Sequence, residues 1–136
     1  MKPIRWLLLA STIVATACSC SSSTDPIPLS ALNGQWTPNN PEVPGLSYQF
    51  TLVLVDTHLT GSGQWSVGSQ SGSVAVTGST TDNAVSLDLT LGHDSPGTLP
   101  FLIEHFDGQL KSSSALTGTV TFSGGGGQQT YRKTGS

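Results

Sequence analysis

The sequence has few charged residues. Asp, Glu, Lys and Arg make up 10% of its 136 residues, and two of the five cations, Lys2 and Arg5, lie at the N-terminus. So few cations in the body exclude a nucleic-acid-binding protein that works by counterion release. Glu, Lys and Arg are scarce beside abundant Ser, Thr, Gly and Val, which argues against a helix-rich protein. The length allows one domain.

The first residues have the organisation of a targeting segment. Two cations precede the short apolar run of residues 6–14, and the small residues Ala15, Thr16 and Ala17 follow it. This order is typical of a signal peptide, because the cations stay in the cytoplasm while the apolar run enters the membrane. The run is too short for a stable bilayer span, which needs about 20 residues.

The tetrapeptide Ala15-Thr16-Ala17-Cys18 resembles the lipobox of bacterial lipoproteins. The resemblance implies that residues 1–17 are removed and that Cys18 becomes a lipidated N-terminus, with a diacylglycerol-derived group and a fatty acid such as palmitate. The family usually has Leu where this chain has Ala15. A cut before Cys20 and an ordinary secretory signal are the alternatives.

Residues 18–32 are predicted to be a flexible tether that leads to one domain of residues 33–134. They are small and polar around Ser19, which in the lipoprotein resemblance implies sorting to the outer membrane of the cell envelope. With Cys18 lipidated, Cys20 has no intramolecular partner and the domain has no disulfide. Three cations then face eight carboxylates, so we expect an acidic domain that stands off anionic head groups.

Alternation with a period of two runs through the rest of the chain. Its cleanest example covers residues 85–91, where Val and Leu alternate with Ser, Asp and Thr. Turn residues separate such runs, so we expect strands with one buried and one wet face, joined by hairpins. The predicted strands are 33–37, 46–56, 59–67, 73–80, 84–91, 99–110, 115–123 and 128–134. Eight strands predict an all-β, antiparallel up-and-down meander closed into a small barrel, although an open sandwich uses the same alternation.

Two features indicate curvature in this sheet. The alternation changes phase within the sixth strand, which predicts a β-bulge near Glu104 or His105. The triplets Leu59-Thr60-Gly61, Val76-Thr77-Gly78 and Leu116-Thr117-Gly118 are similar, and Gly inside a strand allows close backbone approach. A chain rich in Thr and Gly also produces such triplets by chance.

The segment Asn33-Gly34-Gln35-Trp36 opens the first strand, and Arg132 and Lys133 lie in the last. This resembles the calycin pattern of lipocalins, fatty-acid-binding proteins and avidin-like barrels. The resemblance implies a barrel whose Gly-x-Trp is covered by a C-terminal Arg or Lys, with Trp36 and Arg132 assigned to barrel closure. A cation over an indole face contributes about 0.5–1 kcal/mol when exposed.

Catalytic and metal-binding patterns are sparse. No Gly-x-Ser-x-Gly elbow and no His-x-x-x-His or Cys-x-x-Cys spacing occurs, so we expect neither an enzyme nor a metal or other cofactor. The densest polar clusters are His93-Asp94 and Glu104-His105-Phe106-Asp107. They could hold a divalent cation only if a loop and a bulge brought them together, and solvated loop charges are the usual case.

Aromatic residues provide the better functional indication. An eight-stranded barrel can be filled by side chains or can hold one small ligand. The aromatic residues expected to line the interior are Tyr48, Phe50, Trp65, Phe101, Phe122 and Tyr131. We therefore expect a membrane-anchored lipoprotein whose barrel binds a small apolar ligand. An envelope protein that engages a partner through its loops and outer face is the alternative, and a His–carboxylate enzyme ranks third.

Overall fold

The computed structural model describes residues 26–41, 43–94, 97 and 99–135. The predicted signal peptide and Cys18 lie outside these residues. A short 3-10 helix, Leu29–Leu32, precedes the strands. The strands are β1 (Gly34–Pro38), β2 (Ser47–Val55), β3 (His58–Val67), β4 (Gln70–Thr81), β5 (Ala84–His93), β6 (Leu102–Ser112), β7 (Ala115–Phe122) and β8 (Gly125–Gly135).

The strands form a closed barrel in sequence order. Each strand pairs antiparallel with the next, and β8 pairs with β1 to complete the ring. The predicted eight-stranded up-and-down meander is therefore confirmed, and the strands form a closed barrel rather than an open sandwich. Closure removes the exposed edges that an open sheet would present.

Two-residue turns join most neighbouring strands. Asp56 and Asp82 begin two of these turns with positive φ angles of 56° and 53°, a conformation that Asp tolerates better than most residues. We call the end of the barrel where β1, β3, β5 and β7 begin the closed end, and the opposite end the open end. The two longer connections, between β1 and β2 and between β5 and β6, both leave and re-enter the barrel at the open end.

The core fills the inside of the barrel, as the alternation predicts. Apolar side chains at every second position are buried, and Ser, Thr, Gln and Asp occupy the outward positions between them. Gly118 faces inward where a β-carbon would overlap the Asp107 carbonyl oxygen and the Gly108 backbone. Gly61 and Gly78 are similarly pressed against carbonyl oxygens of neighbouring strands. The interpretation of the three triplets as curvature points stays a prediction.

The predicted bulge near Glu104 or His105 is wrong. Register between β5 and β6 is continuous through both residues, and the irregularity of β6 lies instead between Leu110 and Ser112. The phase change in the sequence arises because Ile103 faces solvent while Glu104 faces the core. An apolar residue outside and a carboxyl inside invert the usual pattern without any bulge.

The last residues of the predicted tether are structured. Residues from Ile27 onward pack against the barrel, and Leu32 is completely buried. The prediction that residues 18–32 are all tether is therefore wrong for 27–32. Leu29 and Leu32 pack on a hydrophobic surface at the closed end, which the polarity of the neighbouring residues does not indicate.

Candidate functional site at the open end of the barrel

The closed end of the barrel is sealed by the 3-10 helix. The Trp36 indole is fully buried and donates a hydrogen bond from Nε1 to the Leu32 carbonyl oxygen at 2.9 Å. The Lys133 ammonium lies 5.8 Å from the indole centroid and donates to the Ala31 carbonyl oxygen at 2.7 Å. Helix, indole and ammonium together cover the lumen beside β1 and β8 at this end. A separate cavity at the same end is lined by Pro26, Ile27 and Leu110 beside the turns.

The cation that covers Trp36 is Lys133, so the assignment of Arg132 to barrel closure is wrong. Trp36 is directly opposite Lys133 in the register of β1 and β8, and opposed residues share one face of a sheet. Arg132 is offset by one residue and therefore points to solvent, where it is exposed. A one-residue difference in register decides this point, and the adjacent basic pair gives no sequence signal for it.

The open end carries an aromatic cluster instead of a helix. Phe101 stacks on Trp65 with ring centroids 4.5 Å apart, and His93 meets Trp65 edge-on at 5.4 Å. The Trp65 Nε1 donates to the Gly92 carbonyl oxygen at 2.8 Å, which fixes the indole. Phe101 and nearby Phe122 are only half-buried, so this apolar group is accessible from outside.

A polar bridge crosses the lumen below this cluster. The Tyr48 hydroxyl donates to Oε2 of Glu104 at 3.1 Å and lies 3.1 Å from the Tyr131 hydroxyl. Because a phenol has one proton, Tyr131 donates to Tyr48. Tyr48 on β2 and Glu104 on β6 belong to strands on opposite sides of the eight-stranded ring. All three residues are buried.

The bridge holds Tyr48 in its neutral form. Burial raises the pKa of the Tyr48 hydroxyl far above its ordinary value, and the adjacent Tyr131 and Glu104 raise it further. A neutral phenol keeps the proton that it donates to Glu104. A buried carboxyl in an apolar barrel is costly unless such donors surround it.

Below the bridge the lumen is filled by rings. The centroid of Tyr131 lies 5.3 Å from that of Phe50 and 5.1 Å from that of Phe106. The structure thus divides the six predicted interior aromatics into two groups. Tyr48, Phe50, Trp65 and Tyr131 are buried inside the barrel, whereas Phe101 and Phe122 lie at its open end.

Gln129 fastens one loop over the open end. Its side-chain amide donates to the Asn40 carbonyl oxygen at 2.7 Å, and its Oε1 accepts from the Asn40 backbone N–H at 3.3 Å. The Asn39 N–H also donates to the Thr130 carbonyl oxygen at 2.8 Å. The start of the loop is therefore held by paired polar groups, while Val43 and Leu46 at its other end pack on the core.

The polar cluster of residues 104–107 is split between the two sides of β6. Glu104 joins the lumen bridge, while His105 and Asp107 face solvent. The His105 Nδ1 lies 2.6 Å from Oδ1 of Asp88, and its Nε2 lies 2.9 Å from Oδ2 of Asp107. Carboxylates only accept, so both contacts are hydrogen bonds only when the ring is an imidazolium.

The two carboxylates raise the pKa of His105, with the Asp88 hydrogen bond as the main cause and Asp107 adding to it, while partial burial acts in the opposite direction. The two carboxylates contact different ring nitrogens, on opposite sides of the imidazole, and do not converge on one point. In the described part of the chain no group of three His, Cys, Asp or Glu residues could hold a metal ion.

The roles of two residues of the site, Glu104 and Gln129, could not be predicted from the sequence. Glu104 looks like a loop charge, and Gln129 looks like any surface amide in a polar strand. The alternation in β6 gives the only signal for Glu104, since Phe106 and Leu110 share its phase. Nothing local marks Gln129, because its partner Asn40 is 89 residues away.

These features define a class of protein, a small closed β-barrel with one sealed end and one open end. No family model matches the chain, and no curated protein matches it. The chain is similar in structure to a redesigned β-barrel, mFAP1, solved bound to DFHBI, with a TM-score of 0.56 and 17% identity over 76% of this chain and 95% of that chain. This likeness shows the fold alone. Among the described residues, no helix is long and apolar enough to span a membrane.

Proposed function

We propose that this chain is a lipid-anchored protein of the bacterial envelope whose barrel binds a small apolar ligand at the open end without catalysing a reaction. The observation that carries the proposal is the difference between the two ends. One end is sealed by Trp36 and Lys133, while the other presents half-buried Phe101 and Phe122 above a polar bridge. The similarity to a barrel solved bound to DFHBI supports small-molecule binding in this fold.

The geometry restricts where such a ligand sits. The lumen below the bridge is occupied by Phe50, Phe106 and Tyr131, so a ligand lies above Tyr48 and Glu104. Its apolar part replaces solvent around Phe101, and burying apolar surface supplies about 25 cal/mol per Å². A polar group at its inner end would meet the Tyr48–Glu104 bridge.

Two tryptophans allow a direct test, because they report on opposite ends of the barrel. We would screen the purified lipidated protein against small apolar compounds by thermal shift, then follow tryptophan fluorescence with Trp36→Phe and Trp65→Phe variants. A ligand at the open end changes the emission of Trp65 and leaves that of Trp36 unchanged. Absence of any stabilising compound, or a response from Trp36 alone, would contradict the proposal.

Phe101→Ala provides the affinity test, with Val53→Ala as its control. Phe101 lies in the proposed site, whereas Val53 is half exposed on the outer wall of β2. We expect Phe101→Ala to weaken binding about tenfold, since an aromatic contact at a buried site contributes about 1.4 kcal/mol. Equal affinities in the two variants would place the ligand elsewhere.

The lipid anchor is a separate part of the proposal. It is supported by the lipobox-like segment that ends at Cys18. Metabolic labelling with an alkyne fatty acid, followed by membrane fractionation, should show a labelled membrane protein that Cys18→Ser converts to an unlabelled one. Cys20→Ser is the matched control and should change neither result. Loss of label in Cys20→Ser alone would move the lipidated residue to Cys20.

The anchor and the ligand site are expected on opposite ends of the barrel. Pro26 and Ile27 lie beside Asn83 and Lys111 at the closed end. The chain from Cys18 to Pro26 spans at most about 28 Å when fully extended. The open end then faces the aqueous compartment, and the ligand arrives from there rather than from the bilayer.

Exposed apolar side chains favour a partner protein as the second candidate function. Leu99 is 84% exposed in the open-end connection, and Ile103 is 60% exposed on the outer wall of β6 near it. Such residues flanking Phe101 suit a protein contact as well as a ligand. Crosslinking in intact envelopes from a Leu99 photoreactive variant would distinguish the two, because only a partner protein yields a larger covalent species.

A further inference from the structure

A groove of about 420 Å³ lies on the outer wall of the barrel near the open end. By the alternation of the strands, the inward-facing residues of this region are Tyr48, Trp65 and Gly72, so their neighbours point outward. The outward side chains that line the groove are Thr37, Ser47, Gln49, Gln64, Ser66, Ser71 and Asp94.

The strand register arranges these side chains in rows. Ser47 is opposite Ser66, and Ser66 is opposite Ser71, which places three hydroxyl side chains side by side across β2, β3 and β4. Gln49 is opposite Gln64 in the next row. Neighbouring strands are about 4.8 Å apart, so each row presents polar groups at regular intervals.

The hydrogen-bonding capacity of the groove is unused within the protein. Neither Gln49 nor Gln64 makes a side-chain hydrogen bond to another described residue. Three other glutamine amides of the barrel are engaged: Gln109 accepts from Lys111, Gln128 donates to Thr119, and Gln129 binds Asn40. Gln35 and Gln70 resemble Gln49 and Gln64 in making no such bond, so the concave position and the paired register distinguish the groove residues.

Charge and backbone pairing restrict what the groove can bind. None of its lining residues is a cation, and Asp94 lies at one side, so a phosphate or carboxylate ligand is disfavoured. The floor strands are paired through Tyr48, Trp65 and Gly72, so no free strand edge there invites an added peptide strand. Recognition must come from hydroxyl and amide side chains, which both donate and accept.

We propose that this groove binds a neutral carbohydrate chain, with Gln49 and Gln64 as the main hydrogen-bonding residues and the Ser47–Ser66–Ser71 row beneath the sugar hydroxyls. Each sugar hydroxyl needs one donor and one acceptor, and the groove supplies both at closely spaced positions. The proposal does not depend on a ligand at the open end, because these side chains face away from the lumen.

The test uses the full chain, purified in a detergent without a sugar head group. Calorimetric titration with tetrasaccharides of glucose and of N-acetylglucosamine should detect binding, and a tetrasaccharide of glucuronic acid should bind more weakly. Binding of the anionic sugar alone, or of none of the three, overturns the proposal.

Matched variants locate the bound sugar. Ser66→Tyr fills the groove and should reduce affinity at least about tenfold, whereas Ser62→Tyr, outward on the same strand outside the groove, should not. Gln49→Ala and Gln64→Ala should each weaken binding about fivefold, which corresponds to one hydrogen bond, and Gln128→Ala should leave it unchanged.

The glutamine variants also protect the test against misfolding. If thermal unfolding shows that Ser66→Tyr does not fold, the comparison of Gln49→Ala and Gln64→Ala with Gln128→Ala decides. Wild-type affinity in both groove variants overturns the proposal, while an unchanged open-end ligand in the same proteins shows that the two sites are separate.

Discussion

The closed and open ends of the barrel are built from the same alternating strands but are covered by different groups. At the closed end Trp36 is buried beneath the helix, with its N–H bonded to Leu32 and its face under Lys133. At the open end the corresponding indole, Trp65, stacks on a half-buried Phe101 and donates its N–H to the Gly92 carbonyl oxygen. Sites that bind ligands are drawn from the less stable parts of a fold.

What covers each end depends on contacts between segments that are far apart in the chain. The closed end is sealed by residues before β1 and by Lys133 near the end of β8, and these are far apart in sequence. The open end instead carries two long connections and the lumen bridge. Substitutions at the closed end should therefore affect mainly stability, and those at the open end mainly binding.

Trp36→Ala should produce the largest loss of stability. It leaves a cavity beneath the helix and removes the hydrogen bond to Leu32, so we expect a loss of about 3–5 kcal/mol in the free energy of unfolding. Trp65→Ala should cost less, because half-exposed Phe101 can move into the space. Urea unfolding followed by circular dichroism measures both, and a larger loss for Trp65→Ala would reverse the comparison.

Tyr48→Phe tests the bridge at the open end. It removes the donor to Glu104 inside the barrel, and we expect a loss of about 1–3 kcal/mol in the free energy of unfolding. Tyr131→Phe keeps the Tyr48–Glu104 bond and should cost less. Urea unfolding of the two variants at neutral pH measures this difference, and equal losses would show that the three groups do not act in the inferred order.

Alkaline pH should destabilise the barrel through the same residue. The folded pKa of Tyr48 is raised above its unfolded value of 10.0, so the unfolded chain releases this proton first. The contribution to stability is fully present below about pH 10 and is lost as pH rises further. Thermal unfolding between pH 8 and about pH 11 should show a decline that is shallower in Tyr48→Phe. Identical slopes would contradict the role of Tyr48.

Lys133→Met against Arg132→Met tests the seal directly. Replacing Lys133 removes its hydrogen bond to Ala31 and its contact with Trp36, so we expect the free energy of unfolding to fall by about 1 kcal/mol. Arg132 is exposed, and its replacement should change stability by less than about 0.5 kcal/mol. The unfolding midpoints in urea decide, and a larger effect at Arg132 would restore the calycin assignment made from sequence.

His105 lies on the outer wall away from both ends and should have the smallest effect. Its raised pKa means that the stabilisation is present below about pH 6.5 and is lost as pH rises through the folded value. The ring is 43% exposed, so the effect should stay below about 1 kcal/mol. NMR titration should show that Asp88→Asn lowers the pKa of His105 more than Asp107→Asn does. The opposite order would contradict the assignment of Asp88 as the main cause.

Alternation could predict the strands because their two faces meet different solvents. The pattern in residues 85–91 is strict, and β5 buries Val85, Leu87, Leu89 and Leu91 as expected. The prediction fails in β6, where apolar Ile103 faces solvent and charged Glu104 faces the core. A bulge is the simplest explanation of this stretch of sequence. In the structure, Glu104 is instead buried against Tyr48, which is distant in the chain.

The candidate site was only partly predictable. The aromatic residues identify the interior, but their division into packed rings and an open-end cluster depends on which residues reach across the lumen. Tyr48 and Glu104 are 56 residues apart, and no local spacing indicates that they meet. The outer groove is equally hidden, since its serine row is assembled from three strands.

The eight-stranded meander and the inward or outward direction of most side chains follow from the sequence alone, because alternation and turn residues act over a few neighbours. Long-range contacts set which cation covers Trp36, which hydroxyl donates to the Glu104 carboxyl, and which end lacks a covering helix. These outcomes depend on strand register and ring closure, which join residues far apart in the chain.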